Sequence, residues 1–158
     1  MQLPILLRMT QPPVSLTALD ALSDALASER KLIDELTSVI LLQRAAIEMD
    51  DLHAVEDSVF ATHRLLLTLG EARKLRRSLN TLLGHNADIS LKQLGDVLGT
   101  QMTPRLQARR YELQSAAHRL SCEVDVNRRM LRAVIGDSES LERVASGLST
   151  APTRLLPC

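Results

Sequence analysis

The sequence predicts an all-α fold in which a long antiparallel, coiled-coil-like helical hairpin packs with a third long helix in an elongated bundle. Two observations support this prediction. Apolar residues recur at three- and four-residue spacing over about thirty positions, which marks one stripe along a helix that needs a partner stripe. Aromatic residues make up only 1% of the 158-residue chain, so Leu, Ile, Val and Ala must fill the core, as they do in helix bundles.

The apolar pattern occurs twice, each time with two polar interruptions. The first stripe is interrupted by Glu29 and Gln43, and its members are Leu19, Leu22, Leu26, Ile33, Leu36, Ile40 and Ile47. The second is interrupted by Arg110 and Asn127, and its members are Leu106, Leu113, Ala117, Leu120, Val124, Leu131 and Val134. Each stripe predicts one long helix.

Capping signals set the predicted ends of the helices. Thr17 with Asp20 suggests a capping box, Asp50 or Asp51 can cap a second helix, and Gly84 can end it. We therefore expect a flexible N-terminal tail (1–14), a helical bundle domain (15–136) with helices at 17–48, 51–83, 90–98 and 104–135, and a short helix with a frayed tail (137–158).

The last two predicted helices have clear start signals. Ser90 with Gln93 forms a second capping box, and Thr103 followed by Pro104 places a capping hydroxyl before a proline at the first helical position. Gly136 is the predicted end of the last helix. The short helix at 90–98 either lies across the end of the bundle or belongs to a flexible connection.

The polar residues inside the stripes have two interpretations. Glu29, Gln43, Arg110 and Asn127 could meet inside the bundle and fix the register of the helices. Alternatively, Glu and Arg side chains could line a pocket for a dicarboxylate, as in small helical enzymes such as chorismate mutases. The second interpretation needs several convergent cations, so we do not expect an enzyme.

Charge is unevenly distributed along a chain whose net charge is zero. Residues 1–60 carry four basic and ten acidic side chains, and residues 61–132 carry thirteen basic and six acidic ones. Acidic and basic helices can neutralise each other by packing together. Alternatively, the chain offers an acidic partner one of two basic surfaces, namely Arg73, Lys74, Arg76 and Arg77, or Arg128, Arg129 and Arg132.

Other classes of function find little support. The near absence of aromatic residues argues against binding of single-stranded nucleic acid, which relies on stacking of bases on aromatic side chains, and we expect no nucleic-acid partner. The first nine residues contain an apolar patch, but it is too short to span a bilayer and lacks the features of a signal peptide. Two distant cysteines (Cys122 and Cys158) and four histidines without a ligand spacing predict no metal site and no cofactor. We therefore expect a cytoplasmic protein.

Two stretches of the first half and one of the last helix carry a resemblance to a known family. Residues 22–36 and 41–55 form a Leu- and Glu-rich first helix, a short Asp-containing turn and the start of a second helix, and residues 126–131 place Asn127 beside Leu131. This pattern resembles the FlgN family of flagellar type III export chaperones over roughly residues 16–135.

The resemblance implies a cytoplasmic chaperone without ATPase activity. Its clients would be the disordered termini of hook–filament junction proteins, which are hook-associated proteins of the FlgK and FlgL kind, and it would deliver them to the export gate. Components of the gate and its ATPase are further implied partners. The competing hypotheses are a structural coiled-coil adaptor, including a homodimer, and a small helical enzyme.

The apolar stripe of the last helix is the predicted partner-binding surface. It must be covered either by the hairpin or by an amphipathic helix of a client. The residues predicted to bind the partner are Leu113, Ala117, Leu120, Val124, Asn127, Leu131 and Val134.

Overall fold

Four α-helices make up the described part of the chain, residues 15–145, and the predicted all-α class is confirmed. The computed structural model describes residues 15–145 and, within that range, the side chains of all but residues 140 and 143–145. The helices are α1 (Leu16–Glu48), α2 (Leu52–Leu82), α3 (Leu91–Leu98) and α4 (Pro104–Ala145), with a 3₁₀ turn at Gly99–Gln101. The predicted tail at 1–14 and the end of the chain after 145 lie outside the described residues.

The turn between α1 and α2 follows from its aspartates. Asp50 adopts a left-handed conformation (φ 54°), and the N–H of Asp51 donates to the carbonyl of Ala46, which closes α1 in a Schellman arrangement. The carboxylate of Asp51 then accepts from the N–H of Ala54 at 3.0 Å and caps α2. One short acidic segment thus ends one helix and starts the next, as predicted.

Most other predicted ends are confirmed. Gly84 (φ 79°) follows α2, and Ser90 and Gln93 form the expected reciprocal capping box. The hydroxyl of Thr103 accepts from the N–H of Leu106 at 3.2 Å, and Pro104 is the first residue of α4.

Two predicted ends are wrong. No Thr17–Asp20 capping box forms, because α1 starts earlier: the carbonyl of Ser15 accepts the first helical hydrogen bonds, and Asp20 pairs with Arg105 instead. Gly136 does not end the last helix, because α4 continues to Ala145. A glycine in a helix costs only about 1 kcal/mol and no proline follows it here, so the helix passes through.

The packing order has α1 at the centre. Among the described helices, α2 and α4 each pack along α1, antiparallel and parallel respectively, and do not pack along each other. Arg105 bonds Asp20 and Asp24 near the start of α1, and Asn127 bonds Gln43 near its end, which shows the parallel register. Since α2 is antiparallel to α1, it ends near the N-terminal end of α1, and residues 83–103 connect it to α4, which starts at that same end.

The hydrophobic core is concentrated at the end of the bundle where α3 lies. Leu94 and Leu98 of α3 are buried there together with Ile89, so the segment lies across the bundle end, one of the two expected arrangements. The other buried apolar residues of this cluster are Leu19, Leu22, Ala25, Leu26, Ile33, Leu36, Leu69, Leu79, Leu83, Leu106, Leu113 and Ala116. The opposite end, near the α1–α2 turn, contains fewer buried apolar side chains.

Candidate functional site

The apolar stripe of α4 divides into a buried half and an exposed half. Leu106 and Leu113 are fully buried against α1, and Leu113 is only 2% exposed. Farther along, Leu131 is 37% exposed and Val134 is 49% exposed. The stripe therefore contributes to the core at its start and to the surface at its end.

The remaining predicted site residues lie between these extremes. Leu120 is half-buried and packs against the core, and Val124 is also half-buried. Ala117 is exposed, because Ala116 occupies the buried position one residue earlier. Of the predicted site residues, Leu113 and Asn127 are buried and become accessible only if the bundle opens.

Asn127 connects the exposed half of α4 to α1. It is buried, its amide N–H₂ donates to the carbonyl of Ile40 at 2.7 Å and to Oε1 of Gln43 at 3.3 Å, and its Oδ1 accepts from Nε of Arg44 at 2.9 Å. The guanidinium of Arg44 also pairs with the carboxylate of Glu123. A buried amide with these partners fixes the register of α4 on α1, which agrees with the register interpretation of the polar stripe residues.

A groove of 300 Å³ lies between α1 and α4 just beyond this cluster, and we call it the α4 groove. Arg128 and Arg132 give it a basic rim. Its lining contains three predicted site residues and five others, and the full set is Ile40, Gln43, Val124, Asn127, Arg128, Leu131, Arg132 and Ile135. Ile135 was missed, although it lies one helical turn after Leu131 and the spacing could have indicated it.

The other polar stripe residues meet different partners than predicted. Glu29 does not contact Arg110: its carboxylate accepts from Nε of Arg76 on α2 at 2.6 Å. Arg110 instead donates to the carbonyls of Leu91 and Lys92 in α3, at 3.1 and 3.3 Å. The helix α3 lies beside Arg110 and supplies its acceptors. The Arg110 side chain is therefore directed toward α3 and away from Glu29.

The Glu29–Arg76 pair lies in a second groove, of 580 Å³, between α2 and α4. Arg73, Lys74 and Arg77 also line it, so convergent cations exist where the sequence suggested only one. Three of these four cations are paired with carboxylates of the protein itself: Lys74 with Glu71 at 2.7 Å, Arg76 with Glu29 at 2.6 Å and Arg77 with Asp88 at 3.0 Å. Such pairing favours a structural role for the cluster over recognition of an anionic substrate.

Other side chains that could react or bind a metal ion are dispersed. On α4, Sγ of Cys122 lies 3.9 Å from Nε2 of His118, and both side chains are exposed. Within residues 15–145, no group of three or more His, Cys, Asp or Glu side chains is placed to hold a metal ion. No described helix is both long and apolar enough to cross a membrane.

Comparison with known proteins agrees with the resemblance noted in the sequence. The family model described as FlgN protein matches residues 9–146, which is most of the chain. No curated protein and no solved structure shows significant similarity to it. The family match spans all four helices and both halves of the α4 stripe, and the chain therefore belongs to the FlgN family of flagellar export chaperones.

Proposed function

We propose that this protein binds the terminal helices of hook–filament junction proteins in the cytoplasm and delivers them to the flagellar export gate. The observation that carries the proposal is the exposed apolar end of the α4 stripe, at Leu131, Val134 and Ile135. These side chains continue a stripe whose first half is covered by α1, so a further helix is needed to cover the second half.

The α4 groove suggests the chemistry of the client. Its floor is apolar at Val124 and Leu131, and its rim is basic at Arg128 and Arg132. A client helix with an apolar stripe and acidic flanks would be complementary to this surface. A client segment that is disordered before binding would form this helix on docking.

The register of α4 on α1 leaves its last part available for such contacts. Asn127 lies beside Gln43, and α1 ends at Glu48, so α1 accompanies α4 to about residue 132. The rest of α4 continues to Ala145, roughly 20 Å at 1.5 Å per residue. We assign client binding to Val124, Leu131, Val134 and Ile135. Asn127 holds this part of α4 on α1, and Leu113 and Leu120 support the helix from the core.

The test is a charge substitution on the exposed half of the stripe. Leu131→Asp or Val134→Asp should lower the affinity for a peptide from the terminal region of a hook–filament junction protein at least tenfold, because one buried aliphatic side chain is lost and a charge faces the client. Helix content by circular dichroism should stay unchanged, since both positions are exposed.

Two control variants make the result decisive. Leu75→Asp changes an exposed leucine of α2 outside the groove and should not affect client binding. Leu113→Asp places a charge in the core and should unfold the bundle. Undiminished client affinity in folded Leu131→Asp and Val134→Asp proteins would contradict the proposal.

A further inference from the structure

Another groove, with an apolar floor, lies between α1 and α2, next to the turn that connects them. It encloses 430 Å³, and we call it the tip groove. Small side chains dominate its floor and let another helix approach closely, while Leu42 and Met49 rise beside it, 68% and 78% exposed. The full lining is Val39, Leu42, Ala45, Ala46, Met49, Asp51, Ala54, Asp57, Ser58 and Ala61.

The surroundings of the tip groove are acidic. Residues 45–63 contain no Lys or Arg, and their acidic side chains, all exposed, are Glu48, Asp50, Asp51, Glu56 and Asp57. Arg44, the preceding cation on α1, is directed to α4, where it pairs with Glu123 and Asn127. The apolar floor is therefore bordered by negative charge that faces no Lys or Arg of residues 45–63, and the one basic contact in this stretch is that of His53 with Glu56, at 3.9 Å.

From this combination we propose that the tip groove binds a basic amphipathic helix of another protein. An apolar stripe on that helix would cover Leu42 and Met49, and its Lys or Arg residues would face Glu56 and Asp57. A symmetric contact between two copies of this chain through their tips would bring the two acidic rims together, which disfavours a second copy as the occupant.

The tip groove and the α4 groove can be occupied at the same time. They have no lining residue in common, because Ile40 and Gln43 of α1 face α4 whereas Val39, Leu42 and Ala46 face the side of α2. Their rims also differ in sign, since Arg128 and Arg132 border the α4 groove. The protein thus presents two helix-binding surfaces of opposite charge, and this inference goes beyond client binding.

The probe is a synthetic fourteen-residue amphipathic helix of leucine and lysine, compared with a peptide in which glutamate replaces every lysine. Fluorescence anisotropy should detect binding of the lysine peptide and not of the glutamate peptide, and added salt should weaken it. Leu42→Ser should reduce the affinity about tenfold, through the loss of one leucine contact. Asp57→Lys should reduce it about threefold or more, through loss and reversal of a rim charge.

Matched variants at the other end of the molecule serve as controls. Leu75→Ser removes another exposed leucine, on α2, and Asp96→Lys reverses the charge at an exposed position of α3. Both variants should bind the lysine peptide with unchanged affinity. Binding of the hook–filament junction peptide should be retained by Leu42→Ser and Asp57→Lys, which separates this inference from the proposed function.

Three results would overturn the inference. One is equal affinity for the lysine peptide in the Leu42→Ser and Leu75→Ser proteins. Another is equal binding of the glutamate peptide. The third is a dimer in sedimentation that Leu42→Ser dissociates, which would assign the groove to a second copy.

Discussion

Removal of Arg76 should strongly destabilise the protein, because it leaves the carboxylate of Glu29 buried without its cation. The Glu29 side chain is 2% exposed and that of Arg76 is 17% exposed, and their charged atoms lie 2.6 Å apart. Breaking a buried ion pair on one side costs about 3–5 kcal/mol. We expect Arg76→Met to lower the free energy of unfolding by roughly this amount.

Because Glu29 is more buried than Arg76, we expect replacement of the two residues to have unequal effects on the free energy of unfolding. In Glu29→Gln the guanidinium of Arg76 keeps some contact with water, so this variant should cost less, about 1–3 kcal/mol. Replacing both residues by apolar ones, in Glu29→Leu with Arg76→Met, should restore most of the loss, since no buried charge remains.

Urea unfolding followed by circular dichroism measures these differences and gives the coupling energy of the pair from a double-mutant cycle. Arg77→Met is the matched control: Arg77 pairs with Asp88 on the surface, with side chains 53% and 68% exposed, and should cost at most about 1 kcal/mol. An Arg76→Met protein no less stable than Arg77→Met would refute the reasoning. So would a double variant as unstable as Arg76→Met alone.

Two further predictions concern contacts of α4. Asn127→Ala should cost about 1–3 kcal/mol in the same assay, because the carbonyl of Ile40 loses a donor and Arg44 an acceptor; a cost below about 0.5 kcal/mol would mean that water replaces the amide. Gly95→Ala should change stability little. The gain in helix propensity, about 1 kcal/mol, is offset because the new Cβ would clash with Nη1 of Arg110 and displace its guanidinium. In an Arg110→Ala background the same change should stabilise by about 1 kcal/mol, and failure to do so would show that Arg110 is not the cause.

Short-range signals explain why so much of the fold could be predicted. The stops and starts at Asp51, Gly84, Ser90 and Pro104 depend on hydrogen bonds within about one turn, which neighbouring residues in the sequence supply. Gly136 shows the limit of this logic. A glycine lowers the stability of a helix by only about 1 kcal/mol, so it does not by itself end a helix whose flanking residues favour the helical conformation.

The sequence predicted the hydrogen-bonding partners of only some of the polar stripe residues. Gln43 and Asn127 meet as the stripes suggested, because both lie on the contact between α1 and α4. Glu29 and Arg110 lie on the same two helices but bind Arg76 and the carbonyls of α3, respectively. The stripe pattern identifies a polar position, but it does not indicate which neighbouring helix supplies the partner of that side chain.

By itself the sequence determined the helical class, most helix ends, the stripe residues and the family resemblance, since these depend on local periodicity, capping and residue identity. Tertiary structure alone decided that α4 packs parallel to α1, that its stripe is covered at Leu113 and exposed at Leu131, and that an acidic groove opens beside the α1–α2 turn. The physical reason is that these features depend on contacts between helices. The acidic groove depends on how α1 and α2 pack beside their turn, and the direction of α4 depends on the path of residues 83–103. That path depends on burying Ile89, Leu94 and Leu98 against residues far away in the chain.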